Sequence, residues 1–377
     1  MFLVSDQHNT NASKRLRILD PVMRLGRERG LDVLTLEELW APQRTFERHT
    51  FERARVLYLH FLDFNLDSHA MMQEAIAAAQ TCGVRVVADT DDAYFMPADH
   101  GPFDAALEPH LKCMRALAEQ ADLITVTCEP LANEMAALGR PVRVVPNWVS
   151  EDEFKPRPRH HGQLGRRGRL RVGFAGGPTH LLDLTAVLPA IGQLQRTHDF
   201  DFVLFGLFDR DMRATVERAR TLTAKQAADP RLSAFSAFAR ALTGVHYTHH
   251  PSVPQAEFAR ALSALDLDIA LCPLLDTAFN RCRSGVKFYQ YAAVGTATLA
   301  SDVAPYRGEC EPLCGDTQAA WESALGRLLD NGPLREATLE AQQRYWRTHR
   351  TWSTVGPRFA EALLAPVAEQ SDGGAAA

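Results

Sequence analysis

The chain has 377 residues, 46% of them hydrophobic and 23% charged, with a formal net charge of −5. This length favours two domains, each able to bury its own core, and it excludes a small scaffold held by disulfides. The charge balance gives no overall reason to expect nucleic acid as a partner. The seven cysteines include no CxxC pair, so reduced thiols are expected, and no metal site is predicted.

The chain carries no pattern typical of a targeting or membrane-spanning segment. Residues 1–4 are apolar but too few for a signal peptide, and no stretch approaches the roughly 18 apolar residues of a spanning helix. A cytoplasmic protein is therefore predicted. Peripheral contact with the inner face of a membrane is kept as an alternative, and the oligomeric state is left open.

Short apolar, β-branched runs alternate with helical patterns from the first residue, which is typical of βαβ units and a parallel sheet. In the first half, strands are predicted at 2–4, 33–36, 56–60, 84–88, 123–126 and 142–145. Helices are predicted from Asp20 to Gly30, over 68–79 and over 129–138. Asp20 and Pro21 suit a helix start, and Gly30 suits its end.

Residues 155–170 are rich in Pro, Gly and Arg and have no apolar period, so they are predicted to link two domains. The predicted domains cover 1–154 and 171–352. Strands of the second are expected at 170–174, 202–205, 245–247, 267–272 and 297–299. Residues 209–242 are expected to form an accessory helix pair on the surface. Two such series predict an α/β protein with two Rossmann-like, doubly wound domains.

The loop after the predicted strand 267–272 is the most informative for ligand binding, because ligands lie beyond the carboxyl ends of parallel strands. A helix starting at Ser284, Gly285 and Val286 would point free N–H groups and its positive dipole end at a ligand. Three cationic side chains lie nearby: Arg281, Arg283 and Lys287. The pattern predicts a diphosphate cradle, with a solvated basic helix start as the alternative.

The run 268–307 resembles the nucleotide-sugar site of GT-B glycosyltransferases, especially glycosyltransferase family 4 and its relatives. The shared pattern is Pro-Leu, Phe-Asn, Lys-Phe and Tyr-Ala-Ala-x-Gly. In that family an acidic residue before Tyr-Ala-Ala binds the ribose hydroxyls. Here Gln290 holds that position, and Cys282 holds the upstream position of the family's Glu-x7-Glu pair. An amide can hydrogen-bond a diol, but the bond lacks the additional strength that the charge of a carboxylate provides.

The resemblance implies a GT-B fold, in which two Rossmann-like domains face each other across a cleft. It also implies that a helix at 353–368 packs back on the first domain. The implied activity is transfer of a sugar from a UDP- or GDP-linked donor to a hydroxyl acceptor, with retention of configuration at the anomeric carbon. The resemblance implies neither a metal nor a further cofactor. Two alternatives remain: a non-catalytic GT-B binding protein, motivated by Gln290 and Cys282, and an NAD-type oxidoreductase, which the missing GxGxxG disfavours.

Three further sites are predicted at strand ends. Gly176 and Gly177 would let a donor approach the backbone, with His180 contacting its sugar or phosphate or acting only locally. Asp91 and Asp92 would orient an acceptor hydroxyl or act as a base, or else cap their loop. Arg17, which with Arg15 is expected in the loop after the first strand, would contact donor phosphate or acceptor, or be a surface residue.

Overall fold

A computed structural model describes residues 1–5, 12–40, 46–96, 102–156, 168–208 and 212–365. It contains two six-stranded sheets in which the paired strands run parallel. The N-terminal strands are β1 Phe2–Val4, β2 Val33–Thr35, β3 Val56–His60, β4 Arg85–Thr90, β5 Leu123–Val126 and β6 Val142–Val144. The C-terminal strands are β7 Leu170–Ala175, β8 Phe200–Phe205, β9 Thr248–His250, β10 Ile269–Cys272, β11 Ala297–Ser301 and β12 Leu313–Cys314.

The order of the strands confirms the two predicted Rossmann-like sheets. The N-terminal sheet runs β2-β1-β3-β4-β5-β6, and the C-terminal sheet runs β12-β11-β10-β7-β8-β9. The direction of winding reverses between β1 and β3 in the first sheet and between β7 and β10 in the second. Loops leaving such a pair of strands diverge and open a crevice, which is where ligands bind in these folds.

Helices cover both faces of each sheet, as parallel sheets require. In the N-terminal half they are α1 Ala12–Lys14, α2 Asp20–Arg29, α3 Leu36–Trp40, α4 Arg48–Glu52, α5 His69–Thr81, α6 Pro102–Gln120 and α7 Glu129–Ala136. The others are α8 Leu181–Leu194, α9 Met212–Arg220, α10 Ala224–Ala227, α11 Pro230–Ala241, α12 Gln255–Ala264, α13 Ala278–Arg281, α14 Val286–Ala293, α15 Gln318–Asp330, α16 Gly332–His349 and α17 Trp352–Leu364. No described helix is long and apolar enough to cross a membrane.

The last helix, α17, returns to the N-terminal domain. Val355, Phe359 and Leu363 are spaced four residues apart, so they share one helix face, and all three are buried in the core that includes β1. The Arg85 side chain donates to the Ala362 carbonyl at 2.9 Å. Trp352 packs on Trp148 with the ring centroids 4.9 Å apart.

Two predicted elements differ from the structure in the second domain. The strand expected at 245–247 lies three residues later, at Thr248–His250. The run expected as a surface helix pair contains α9, α10 and α11, whose residues Val216 and Phe238 are buried in the domain core. The buried face of α9 consists of Met212, Val216 and Ala219. This apolar pattern is difficult to recognise in the sequence because arginines lie between these residues.

The segment after β1 also differs from prediction. Instead of a loop, the described part is helical from residue 12, with a π-helical turn at Arg15–Leu19 that leads directly into α2. Gly30 ends α2 in the left-handed conformation with φ 61°, as predicted. Residues 157–167 of the predicted linker, with most of its basic run, lie outside the described residues.

Candidate functional site

A cleft opens between the carboxyl ends of the two sheets and contains a cavity of about 350 Å³. This volume lies within the usual range for small-molecule sites. Its N-terminal wall includes Ser13, Leu16, Asp91, Asp92, Asn147 and Trp148. Its C-terminal wall includes Gly176, Gly177, His180, Arg283, Ser284, Val286, Lys287 and Gln290. The loops after β7 and β10, at the switch point of the second sheet, therefore meet the loop after β4 across one cavity.

The glycine turn after β7 brings the backbone close to a cation. The Gly176 N–H donates to the Phe205 carbonyl at 3.0 Å, which holds the turn against β8. A Cβ on Gly176 would lie 3.0 Å from Lys287 Nζ and 2.8 Å from the Phe174 ring, so a side chain would displace both groups. At Gly177 a Cβ would meet open space, so a ligand can approach the backbone there.

Lys287 lies in the first turn of α14, where its Nζ sits 5.6 Å from the centroid of the Phe174 ring. Burial, and then the positive charge of Arg283, lower the pKa of Lys287 to about 8. No ion pair to Lys287 occurs within the described ranges. A partly buried ammonium beside a helix start and an open glycine turn is suited to binding an anion.

Arg283 connects the two domains through Asp92. Its Nε and Nη2 atoms each lie 3.3 Å from a carboxylate oxygen of Asp92. The third nitrogen, Nη1, is buried and has no hydrogen-bond partner in the described part of the chain. Burial raises the pKa of Asp92 to about 6, and the charge of Arg283 opposes that rise. Arg283 thus has donor capacity left for a second anion.

His180 is held by a buried carboxylate at the start of α8. Its Nδ1 lies 2.8 Å from Asp183 Oδ2. The other oxygen, Oδ1, accepts from the Leu275 N–H at 2.9 Å and from Asn280 Nδ2 at 3.1 Å. Burial, followed by the positive charges of Lys287 and Arg283, lowers the pKa of His180 to about 3. His180 therefore faces the cavity as a neutral ring.

Asp91 is kept ionised by its neighbours in the N-terminal wall. The Tyr94 hydroxyl donates to Asp91 Oδ1 at 2.7 Å, and His60 Nε2 lies 3.3 Å from the same oxygen. Burial opposes ionisation, but the His60 contact and the hydroxyls of Ser13 and Tyr94 outweigh it and hold the pKa of Asp91 well below its usual range. The two adjacent carboxylates, Asp91 and Asp92, thus have pKa values shifted in opposite directions.

The first turns of α14 place further polar groups on the cavity. Ser284 Oγ accepts a hydrogen bond from Asn147 Nδ2 at 2.7 Å, a second link between the domains. Gln290 follows Val286 by four residues and lies on the same helix face, toward the cavity. The Gln290 amide has no hydrogen-bond partner among the residues described, so it is available to a ligand.

Three predicted ligand residues do not line this cavity. Arg17 is fully buried, and its Nη2 and Nε lie 2.7 and 3.0 Å from the Asp89 carboxylate. This corrects the prediction of a donor or acceptor contact: the ion pair with Asp89 in β4 keeps Arg17 inside the domain. Arg281 is exposed and paired with Asp276 at 2.6 Å. Gly285 faces Pro305, whose carbonyl oxygen would lie 2.9 Å from an added Cβ.

Sequence reasoning missed the residues that support the site from behind: Asp183, Asn280, His60, Tyr94 and Asn147. Asp183 follows His180 by three residues at a helix start, a spacing that brings two side chains together and could have been noticed. His60 ends β3, the strand beside β4, so its position near Asp91 also follows from the strand order. The Asn147 contact with Ser284 joins the two domains, and no local pattern indicates it.

No family model and no curated protein matches this sequence. Solved structures do match over nearly the whole chain. HepE from Anabaena, in complex with UDP and glucose, matches with a TM-score of 0.63 and 12% identity, over 97% of this chain and 99% of its own. Sucrose-phosphate synthase from Thermosynechococcus elongatus matches with a TM-score of 0.59 and 15% identity, over 96% and 97%. The fold is therefore the predicted GT-B fold of two facing Rossmann-like domains.

The same architecture also occurs in a protein assigned as a UDP-N-acetylglucosamine 2-epimerase from Listeria monocytogenes. It matches with a TM-score of 0.53 and 12% identity, over 96% of this chain and 95% of its own. Identities this low establish the fold alone. The reaction must be argued from the residues of the cleft.

Proposed function

We propose that this protein transfers a sugar from a nucleoside diphosphate sugar to a hydroxyl acceptor. The observation that carries the proposal is the convergence of Lys287, Arg283 and the Gly176-Gly177 turn on one side of the cleft. Two cations and a helix start with free N–H groups match the charge and shape of a diphosphate. UDP is the proposed nucleotide, because HepE, which shares the fold, was solved with UDP and with UDP-glucose.

In the proposed reaction, the bond between the anomeric carbon and the diphosphate oxygen breaks, and its electron pair leaves with the diphosphate. Lys287 and Arg283 stabilise that growing negative charge, so no metal is required for this step. The acceptor oxygen forms the new bond to the anomeric carbon. Retention at that carbon is proposed on the resemblance to glycosyltransferase family 4.

The opposite wall supplies the groups proposed to handle the acceptor. Asp91, which is held ionised, accepts a hydrogen bond from the acceptor hydroxyl and orients it. Asp92, with a pKa near 6, receives the hydroxyl proton, because a base is most effective when its pKa lies near the working pH. Gln290 is proposed to hold the ribose diol of the nucleotide from the second turn of α14.

A thermal-shift and turnover comparison tests this function. UDP at about 100 times its dissociation constant should stabilise the protein by about 2.7 kcal/mol. With UDP-sugars and a panel of hydroxyl acceptors, the expected products are free UDP and the glycosylated acceptor. Absence of nucleotide binding would refute the proposal. Tight binding without transfer or donor hydrolysis would instead support the non-catalytic binding protein that Gln290 and Cys282 suggest.

A further inference from the structure

The two ring nitrogens of His180 have different surroundings. Nδ1 lies 2.8 Å from Asp183 Oδ2, inside the domain. His180 lines the cavity, and its Nε2 has no hydrogen-bond partner within the described residues. Because Asp183 engages Nδ1, Nε2 is the nitrogen that remains for a ligand in the cavity. The Phe174 ring packs against the imidazole, with the ring centroids 5.9 Å apart and an angle of 65° between the ring planes. The ring therefore has one engaged nitrogen and one that faces a ligand.

The surroundings of Asp183 determine which nitrogen carries the proton. Asp183 is completely buried. Its Oδ1 already receives two hydrogen bonds, from the Leu275 N–H and from Asn280 Nδ2. Burial favours the neutral acid, but the contact with His180 and the hydrogen bond from the Leu275 N–H outweigh it and hold the pKa of Asp183 below its usual value. The ionised carboxylate can only accept, so the shared proton resides on His180 Nδ1.

A neutral imidazole with its proton on Nδ1 presents a lone pair at Nε2. The cavity beside His180 thus contains a hydrogen-bond acceptor next to the cations Lys287 and Arg283. A phosphate oxygen has no proton to give and would face that lone pair unfavourably. A carbohydrate hydroxyl can donate to it.

We propose that His180 Nε2 accepts a hydrogen bond from a hydroxyl of the donor sugar, and that Asp183 is the positioning residue that fixes the ring in the required tautomer. The assignment to the donor sugar rests on the proposed function. His180 lies on the same wall as Lys287 and the Gly176-Gly177 turn, so a sugar attached to a diphosphate held there lies within reach of the ring.

Asp183→Asn is the most direct test, because it changes the tautomer while keeping the shape of the side chain. The amide oxygen would keep the donors from Leu275 and Asn280. The amide NH2 would then face His180 Nδ1 as a donor, so the ring proton must move to Nε2. Asp201→Asn is a matched control, because Asp201 is at the start of β8, at the other end of the sheet from the cavity, and loses the same charge.

Binding of UDP and of UDP-glucose should be measured by calorimetry for the three proteins. In Asp183→Asn we expect UDP to bind within about twofold of the unmodified protein and UDP-glucose to bind about tenfold more weakly, the scale of one hydrogen bond with a donor left unpaired. The control should bind both ligands normally. If Asp183→Asn loses as much affinity for UDP as for UDP-glucose, the ring contacts the diphosphate. If its affinity for UDP-glucose is unchanged, the ring does not contact the donor sugar. Either result overturns the proposal.

The tautomer can be read independently by nitrogen NMR of histidine-labelled protein without nucleotide. The proton should reside on Nδ1 in the unmodified protein from about pH 5 to 9 and on Nε2 in Asp183→Asn. A proton on Nε2 in the unmodified protein at neutral pH would overturn the proposal. If the tautomer is as expected but neither UDP nor UDP-glucose binds the unmodified protein, the proposed function fails and the sugar assignment fails with it.

Discussion

The Arg283 guanidinium lies 3.3 Å from both carboxylate oxygens of Asp92, and this ion pair spans the cleft between the two domains. Arg283 belongs to the loop before α14, and Asp92 follows β4. A diphosphate bound beside Lys287 would compete with Asp92 for the same guanidinium. Donor binding is therefore expected to weaken the ion pair and to release a carboxylate toward the acceptor.

Asp92→Asn should separate binding from turnover. Removing this carboxylate frees Arg283 and removes a negative charge near the diphosphate, so UDP should bind several-fold more tightly. Turnover should fall by about 10²- to 10⁴-fold, the usual contribution of a general base. Calorimetry with UDP and a UDP-release assay measure the two effects. Weaker UDP binding would contradict the competition between Asp92 and the diphosphate.

The dependence of kcat/KM on pH should be bell-shaped. Asp92 acts as a base only when ionised, so activity should be lost as pH falls through about 6. Lys287 stabilises the leaving group only when protonated, so activity should be lost as pH rises through about 8. The pH dependence of kcat/KM reports the pKa values of these groups in the free enzyme. Lys287→Arg should abolish the loss of activity at alkaline pH, because arginine stays charged. If the variant still loses activity near the same pH, a group other than Lys287 is responsible.

Lys287→Ala should lower turnover more than it lowers nucleotide affinity. Charge on the diphosphate grows as the sugar leaves, so the ammonium contributes most in the transition state. The expected loss in kcat is about 10- to 1000-fold, on the scale of a lost oxyanion donor. Arg281→Ala is the matched control, because Arg281 is a nearby cation that is exposed and paired with Asp276. Equal losses in both variants would favour a general electrostatic effect over a direct contact.

Gln290→Ala should weaken UDP binding by about 1 kcal/mol if the amide holds the ribose. Comparing UDP with 2′-deoxy-UDP makes the test specific, since the variant should no longer distinguish them. Gln290→Glu should strengthen UDP binding, because a carboxylate accepts from hydroxyls more strongly than an amide does. If the unmodified protein binds both nucleotides equally well, Gln290 does not contact the 2′-hydroxyl.

Arg17→Ala should destabilise the protein. The Arg17–Asp89 pair is fully buried, with Tyr58 also donating to Asp89 at 3.0 Å, and removal of one partner leaves an unpaired charge in the core. The expected loss is about 3 to 5 kcal/mol in the free energy of unfolding. Chemical denaturation measures this loss. A variant with normal stability but poor UDP binding would restore Arg17 to the ligand site.

Local patterns predicted much of the fold and the donor side of the cleft. The strands at Phe2–Val4, Val56–His60 and Leu123–Val126 have the predicted bounds, because buried parallel strands are continuous apolar runs between polar turns. The cationic loop before α14 could be located because a strand end, a glycine and a helix start follow one another in the sequence. Arg283 and Lys287 line the cavity for that reason.

The errors arose where distant parts of the chain meet. The sequence predicts Arg17 near the ligand because it places this residue in a loop after the first strand. The structure instead pairs Arg17 with Asp89, 72 residues away, and no local pattern indicates that partner. The strand at Thr248–His250 was misplaced because its polar residues, at the edge of the sheet, carry little apolar signal. The Asp92 contact with Arg283 spans 191 residues and depends on how the two domains are docked.

The return of α17 to the first domain has a consequence for synthesis on the ribosome. Val355, Phe359 and Leu363 complete a core whose other members include Phe2 and Val22. Those two residues are translated long before α17. Until α17 is made, the side chains of Phe2 and Val22 lack the residues that bury them on this side. The N-terminal domain therefore cannot finish folding before the C-terminal domain has been translated, although domains usually fold in the order in which they emerge.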